Sequence, residues 1–81
     1  MRIRMAVDGR VFEGTAVQIV EAMRSVAFAP SDVSLDGYID WAVEQAASMN
    51  DVVLVVQGES VQERAQSFVK ALVGAGWAVW L

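Results

Sequence analysis

Residues 51–58 read DVVLVVQG, and the rest of the chain can be placed around this stretch. Its centre is a run of five aliphatic residues, four of them β-branched, with polar residues and a glycine at its ends. A short run of this kind is typical of a strand, and a strand without an alternating polar face is buried on both sides. The stretch therefore predicts a strand inside its sheet, with parallel pairing to a neighbour.

The composition limits the chain to one domain, residues 1–81, and removes several kinds of chemistry. Cysteine and histidine are both absent, which excludes disulfides, thiolate nucleophiles and zinc-thiolate sites and removes the usual neutral-pH base. No apolar run approaches the ~20 residues that a membrane-spanning helix needs, and no apolar signal segment follows the first residues. We expect a cytoplasmic protein without a cofactor or a bound metal.

The charges are unevenly distributed along the chain. The net charge is −4, and no basic residue occurs from Ser25 to Glu63. The acidic residues in that window are Asp32, Asp36, Asp40, Glu44, Asp51, Glu59 and Glu63. Direct binding of nucleic acid or of an anionic membrane needs clustered cations, so this asymmetry favours a cationic partner.

The first residues predict a β-hairpin. Alternating apolar residues over 2–7 lead to Asp8-Gly9, which suits a two-residue type I′ turn, and the chain returns over 10–13. In that register Met5 lies opposite Phe12 on the core face. Arg4 then lies opposite Glu13 as an ion pair on the outer face.

Two helices are predicted between the hairpin and the central stretch. Thr15 and Gln18 have the spacing of a capping box for a helix from about Ala16 to Ala27, which Ala29-Pro30 stops. Ser31 to Ser34 offers two N-cap candidates for a second helix, Leu35 to about Met49. The predicted inward stripes are Ala16, Ile19, Val20, Met23, Val26 and Ala27 in the first helix and Leu35, Ile39, Ala42, Val43, Ala46 and Met49 in the second.

A third helix and a last strand complete the chain. Ser60 and Glu63 match a second capping box, and residues 74–76, GAG, supply a left-handed residue that ends the helix. Its predicted inward residues are Val61, Ala65, Phe68, Val69 and Leu72. Residues 77–81 read as a strand with Trp77, Val79 and Leu81 on one face and Ala78 and Trp80 on the other.

Strand, helix and strand with short joints predict a right-handed βαβ unit in which the two strands are parallel. The fold class is therefore α/β (α+β). We expect a compact single-domain sandwich of order ββααβαβ, with a mixed four-stranded sheet and three helices.

The candidate partner-binding residues lie on the second helix and just before it. Asp32, Asp36, Asp40 and Glu44 recur every four residues, and each step advances about 6 Å along a helix axis. Phosphates of one DNA strand repeat every ~3.4 Å, so one interpretation is a negative ridge that imitates a phosphate backbone. Two other interpretations stay open: an ordinary solvated helix face, and a divalent-cation site.

Trp41 lies beside this ridge, away from the apolar stripe. Exposed, it is a natural interface anchor; the alternative is that a neighbouring element covers it. The same two alternatives, exposure as an interface residue or coverage by a neighbouring element, apply to Phe28 and Trp80. If all three helices cover one face of the sheet, Trp80 and Val11 are exposed on the other, and a homodimer through that face becomes an alternative.

Enzymatic interpretations find little support in the sequence. Ser31, Ser34, Ser60 and Ser67 have no histidine or cysteine partner, and Lys70 is the single lysine. The glycines do not form a phosphate-binding loop with a lysine. We expect a protein that is not an enzyme.

The first half of the chain resembles a group of short acidic proteins encoded by phages and other mobile elements. The similar segments are DGRVFEGT at 8–15, IVEAMR at 19–24, AF at 27–28 and YIDW at 38–41. Some proteins of that kind are anti-CRISPR inhibitors, which often occupy the basic DNA-binding surface of a Cas complex.

The resemblance implies an inhibitor whose partner is the basic surface of a nucleic-acid-binding complex, with a Cas effector as the concrete case. The alternative is a non-enzymatic structural or regulatory module that homodimerises through an exposed sheet face.

Overall fold

The computed structural model describes residues 1–26 and 33–81, and this part of the chain forms a compact α+β fold. Its elements are β1 Arg2–Met5, β2 Val11–Glu13, α1 Ala16–Val26, α2 Leu35–Asn50, α3 Val61–Gly74 and β3 Ala78–Trp80. The three strands form one antiparallel sheet in the order β2-β1-β3. The predicted mixed four-stranded sheet and the order ββααβαβ are therefore not confirmed, whereas the three helices are.

The helices cover one face of the sheet. Ile3 of the central strand β1 is fully buried, whereas Arg2 and Arg4 on either side of it are exposed. Helix α1 contacts β2, α3 contacts β3, and α2 packs against both other helices. The largest fully buried side chains are Phe68, Ile3, Ile19, Ile39, Val20 and Val69. The result is two layers with the core between them.

The hairpin forms in a different register from the predicted one. Arg2 pairs with Glu13, Ile3 with Phe12 and Arg4 with Val11, so the loop is longer than a two-residue turn. The amide of Gly9 donates to the carbonyl of Met5, and that of Met5 donates to Arg10. The predicted pairs of Met5 with Phe12 and of Arg4 with Glu13 are wrong. A shift of two residues keeps each side chain on its expected face, which is why the hydrophobic pattern did not reveal it.

Strand β3 pairs antiparallel with β1, so the predicted parallel βαβ unit is not present. Trp80 lies opposite Ile3, and Val79 lies opposite Arg4. Residues that pair directly share a face, so Trp80 is on the helical side, at the edge and half exposed, and Val79 points outward. The predicted faces of this strand are therefore reversed. Ala78 is buried, and its small side chain lets α3 lie close to the strand.

The central stretch is not a strand of the sheet. Leu54 is buried, while Val53 is 79% exposed and Val55 is 61% exposed. The Oγ of Ser67 on α3 accepts from the amide of Gln57 at 2.9 Å and donates to the carbonyl of Val55 at 3.5 Å. A helix side chain thus provides polar contacts that a strand would obtain from a neighbour. The predicted burial on both faces is wrong.

The helix starts are confirmed. Thr15 and Gln18 bond each other's backbone amides, Ser34 accepts from the amide of Gly37, and Ser60 and Glu63 close a full capping box. The end of α3 is also as predicted. Gly76 has a φ of +80°, and the amides of Gly76 and Trp77 donate to the carbonyls of Val73 and Leu72.

The inward stripes are confirmed except near helix ends. Met49 is 74% exposed, Val26 is 52% exposed and Val61 is 37% exposed, because these residues lie in terminal turns at the margin of the core. Tyr38 is buried in α2, although the predicted stripe omitted it. The predicted helix residue Ala27, the stop at Ala29-Pro30, the N-cap candidate Ser31 and the site residue Asp32 lie outside the described residues, as does Phe28.

Candidate binding surface

The acidic residues of α2 meet an arginine from α3. Ser34 begins the helix, so Asp36, Asp40 and Glu44 follow at one-turn intervals along one side. The guanidinium of Arg64 donates through Nη1 to Oδ1 of Asp36 at 2.8 Å and through Nη2 to Oδ1 of Asp40. The hydrogen bond with Asp40 is the main cause that raises the pKa of Arg64 above its usual value. The arginine is therefore a permanent positive charge between two carboxylates.

This ion-pair cluster consists of Asp36, Asp40 and Arg64. It places a positive charge on what was predicted to be a purely acidic ridge. Two of its acidic residues are partly neutralised, because Arg64 lies between them and offsets the repulsion of two like charges one turn apart on a helix. The side chains of Asp36 and Asp40 are nevertheless 49% and 67% exposed. Glu44 is exposed and has no ion-pair partner within residues 1–26 and 33–81. What α2 presents is a weaker negative surface with fixed geometry.

Trp41 is half-buried and packs against the core. Its ring lies 5.9 Å from that of Tyr38, centroid to centroid, at an interplanar angle of 31°. Tyr38 in turn meets Phe68 edge to face, with centroids 6.4 Å apart. Trp41 is thus one wall of an aromatic group and not a freely projecting anchor.

These aromatic rings border an apolar cleft of about 220 Å³ between α2 and the end of β1. Its walls include Met5, Tyr38, Trp41 and Trp77, and its polar lining groups are amides of Gln45 and Asn50. A shallower depression of about 160 Å³ continues past Tyr38 toward Phe12. Another begins at Trp77 and runs to the hairpin loop. All three are bordered by Met5, so they adjoin one another near the end of β1.

Tyr38 is only 4% exposed, and among the described residues no buried side-chain nitrogen or oxygen atom lacks a hydrogen-bond partner. Burial raises the pKa of this phenol, which therefore stays neutral. Tyr38 borders both the cleft and the adjoining depression toward Phe12. A neutral hydrogen-bonding group thus stands beside an apolar space.

The outer face of the sheet carries positive charge among apolar side chains. Arg4 lies between Val11 and Val79, and both valines are nearly half exposed. The next outward row contains Arg2 opposite Glu13. As predicted, Val11 is exposed on this face, whereas Trp80 belongs to the opposite side.

The serines that were weighed as nucleophiles have structural roles. Ser34 and Ser60 cap helices, and Ser67 holds the central stretch against α3. Among the described residues there is no group of three acidic side chains that could hold a metal ion. Within the same residues no helix is long and apolar enough to cross a membrane.

Sequence reasoning missed Arg64 and Tyr38. Arg64 reaches Asp36 across 28 positions, and no local pattern links two helices at that separation. Tyr38 had a usable signal, because aromatic residues three apart, such as Tyr38 and Trp41, meet on one helix face.

Comparison with known proteins gives no match for the chain. No protein-family model matches it, and no curated protein or solved structure is significantly similar to it.

Proposed function

We propose that this chain is a small acidic inhibitor that binds the basic DNA-binding surface of a nucleic-acid-binding complex and blocks target DNA. The observation that carries the proposal is the separation of charge between the two layers. The helical layer and its loops hold seven acidic residues against the basic residues Arg24, Arg64 and Lys70; the acidic ones are Glu21, Asp36, Asp40, Glu44, Asp51, Glu59 and Glu63. The outer sheet face instead presents Arg2 and Arg4 with one acidic residue, Glu13, opposite Arg2. The helical side therefore has a net negative charge that attracts a cationic partner, whereas the net charge of the outer sheet face is positive.

The ion-pair cluster supports this role in spite of its internal arginine. Arg64 contacts Oδ1 of both aspartates, which leaves the other oxygen of each carboxylate for an incoming lysine or arginine. Holding Asp36 and Asp40 at a fixed spacing also reduces the side-chain entropy that binding would cost. Glu44 extends the same side of α2 by one turn.

The concrete partner is a Cas effector complex, because the resemblance to phage-encoded inhibitors concerns proteins of that kind. The chain itself would act without catalysis and without a cofactor, by electrostatic steering and a limited contact area. Association should be fast at low salt and should weaken as ionic strength rises.

The test is an affinity pull-down of the tagged protein from cells with an active CRISPR system, washed at low and then at high salt. Cas subunits that are retained at low salt and released at high salt would support the proposal. The matched variants are Glu44→Lys on α2 and Glu21→Lys on α1, which change the net charge equally. We expect the first to reduce recovery several-fold and the second, which changes only the overall field, to reduce it much less, while equal recovery of Cas subunits by both variants would contradict the role of α2.

A homodimer through the outer sheet face is the second candidate, favoured by the exposure of Val11, Val79 and Leu81. Two-fold pairing through this face would bring the arginines of two copies together, which opposes it. Recovery of the tagged protein's own untagged copies alone, independent of salt, would favour this alternative.

A further inference from the structure

We propose that two copies of this chain pair through residues 52–56, which form two antiparallel strands about a two-fold axis at Leu54. In the single chain this stretch lies outside the sheet. The proposed contact differs from the outer sheet face considered above. It goes beyond the proposed inhibitor role and does not depend on it.

The exposure of the stretch alternates as it does along a strand. Leu54 is buried, whereas Val53 and Val55 on either side of it are largely exposed. Val52 and Val56 are half-buried. One side of the stretch therefore packs on the core, and the other presents two β-branched side chains, a type that is enriched in paired strands.

The backbone of the stretch has one edge open for hydrogen bonding. Ser67 contacts the carbonyl of Val55 and the amide of Gln57, which belong to odd-numbered residues. Within residues 1–26 and 33–81 the even-numbered groups without a partner are the amides of Leu54 and Val56 and the carbonyls of Val52 and Leu54. Successive residues of a strand direct their backbone groups to opposite edges. Ser67 therefore holds the odd edge, and the even edge is left for a second strand.

The order of residues in the stretch identifies a second copy as that strand. Residues 52–56 read VVLVV, the same in both directions about Leu54. Antiparallel pairing about this residue places Val53 of one copy opposite Val55 of the other, while each Leu54 stays directed to its own core. The open groups of the two copies then bond one another, Leu54 to Leu54 and Val52 to Val56. A two-fold interface requires this kind of self-complementarity.

The charges around the stretch are compatible with pairing, although the chain is acidic. Residues 52–56 carry no charge, and the two-fold axis places Asp51 of one copy beside Gln57 of the other. The two Asp51 residues thus lie at opposite ends of the paired strands. Lys70 borders the same depression as Gln57, so each Asp51 approaches a lysine of the other copy. Glu63 also borders it, but its carboxylate already accepts hydrogen bonds from two backbone amides.

The small size of the contact sets its strength. Two five-residue strands bury much less than the ~1,200 Å² at which stable interfaces begin. We expect a Kd on the order of 1 mM, so the chain is monomeric at micromolar concentration. Two copies held side by side on one partner reach comparable effective concentrations, and the pairing is populated there.

The first experiment measures the mass of the full chain and the contact between copies. Sedimentation equilibrium from about 20 μM to about 2 mM brackets the expected Kd. An isotope-filtered NOE spectrum of mixed labelled and unlabelled chains should show the Hα of Val53 in one copy close to the Hα of Val55 in the other. A monomer at millimolar concentration would overturn the proposal. Contacts from Val53 to any other segment of the second copy would overturn it as well.

Matched variants test the location. Val53→Lys places a cation opposite Val55 of the other copy and should weaken self-association about 10-fold. Val26→Lys is the control, because Val26 is also exposed and lies at the end of α1. It changes the net charge equally and should leave the Kd unaltered. Equal Kd values for Val53→Lys and Val26→Lys would place the contact elsewhere and overturn the proposal.

A charge pair tests the antiparallel register. In the double variant Val53→Lys/Val55→Glu, each lysine lies opposite a glutamate of the other copy. Opposite charges at directly paired positions stabilise a sheet, so the double variant should associate more strongly than Val53→Lys alone. Both changed positions are exposed in the single chain, so the core is not disturbed. Failure of the second substitution to restore association would overturn the proposed register.

Discussion

Two glycines adopt a positive φ shortly before a helix begins. Gly14 precedes the cap of α1 and has a φ of +133°, and Gly58 precedes the cap of α3 and has a φ of +135°. A Cβ on Gly58 would lie 2.6 Å from Cβ of Glu63 and 2.9 Å from the amide nitrogen of Arg64. Only glycine combines that φ with that proximity. Because Arg64 carries the ion-pair cluster, this glycine also positions the candidate surface.

Gly58→Ala should therefore lower the free energy of unfolding by about 2 kcal/mol, from backbone strain and displacement of the capping box. Gly74→Ala is the matched control, since no atom lies within 4 Å of its added Cβ and it is the last residue of α3. That control should be neutral or stabilising by up to about 1 kcal/mol. Urea denaturation measures both, and equal stability of the two variants would contradict the role of Gly58.

At the scale of elements, α2 and α3 are joined by charge as well as by apolar packing. Arg64 extends from the first turn of α3 to two carboxylates one turn apart on α2. The pairs are partly exposed, so solvent screening reduces their contribution to stability. Their main effect is to relieve repulsion between Asp36 and Asp40 and to fix the relative position of the two helices.

Arg64→Met removes the charge while keeping much of the apolar stem. We expect a loss of about 1 kcal/mol, larger at low salt, because two neighbouring carboxylates are left without their partner. Lys70→Met is the control on the same helix, where an exposed cation is removed and the change should stay within about 0.5 kcal/mol. Thermal unfolding at two salt concentrations measures the difference. If Lys70→Met costs as much as Arg64→Met, the effect is one of net charge and not of this cluster.

The central stretch is held by one buried side chain and by hydrogen bonds at its ends. Leu54 faces the core, whereas Val53 next to it is largely exposed. Leu54→Ala should cost about 2–5 kcal/mol because it leaves a cavity. Val53→Ala should change stability by no more than about 0.5 kcal/mol. Chemical denaturation measures the free energy of unfolding of both variants. Comparable losses from the two substitutions would contradict this prediction and indicate a strand that is buried on both faces.

At the scale of the whole molecule, the sheet layer and the helical layer carry opposite surface character. Arg2 and Arg4 lie in the middle of the outer sheet face, where valines of both edge strands adjoin them. Positive charge in the middle of a small apolar surface discourages two copies from packing face to face. The same arrangement orients the acidic helical layer toward any cationic partner.

We therefore expect the chain to be monomeric at micromolar concentration, as measured by sedimentation velocity. Arg4→Val joins Val11 and Val79 into one apolar row and should produce concentration-dependent association. Arg10→Val, in the hairpin loop where Arg10 pairs with Asp8, removes the same charge and should leave the mass unchanged. A salt-insensitive dimer of the unaltered chain would contradict the expectation and favour the dimerisation module.

Local patterns of the sequence determined the helices and their ends. The capping residues Thr15, Ser34 and Ser60 marked helix starts correctly, and the GAG segment at 74–76 marked the end of α3, because caps and turns depend on residues close together in the chain. Hydrophobic periodicity likewise selected most of the core, since a helix face is set by spacing alone.

Only the tertiary structure decided how the elements meet. The run at 52–56 is equally suited to a paired strand and to an unpaired segment held by Ser67, and the choice depends on a side chain ten or more positions away. The same holds for three other features: the antiparallel direction of β3, the register of the hairpin, and the ion pairs of Arg64 with Asp36 and Asp40. Each results from contacts between distant residues, whose free energy depends on the packing of the whole chain and leaves no mark in a local window of sequence.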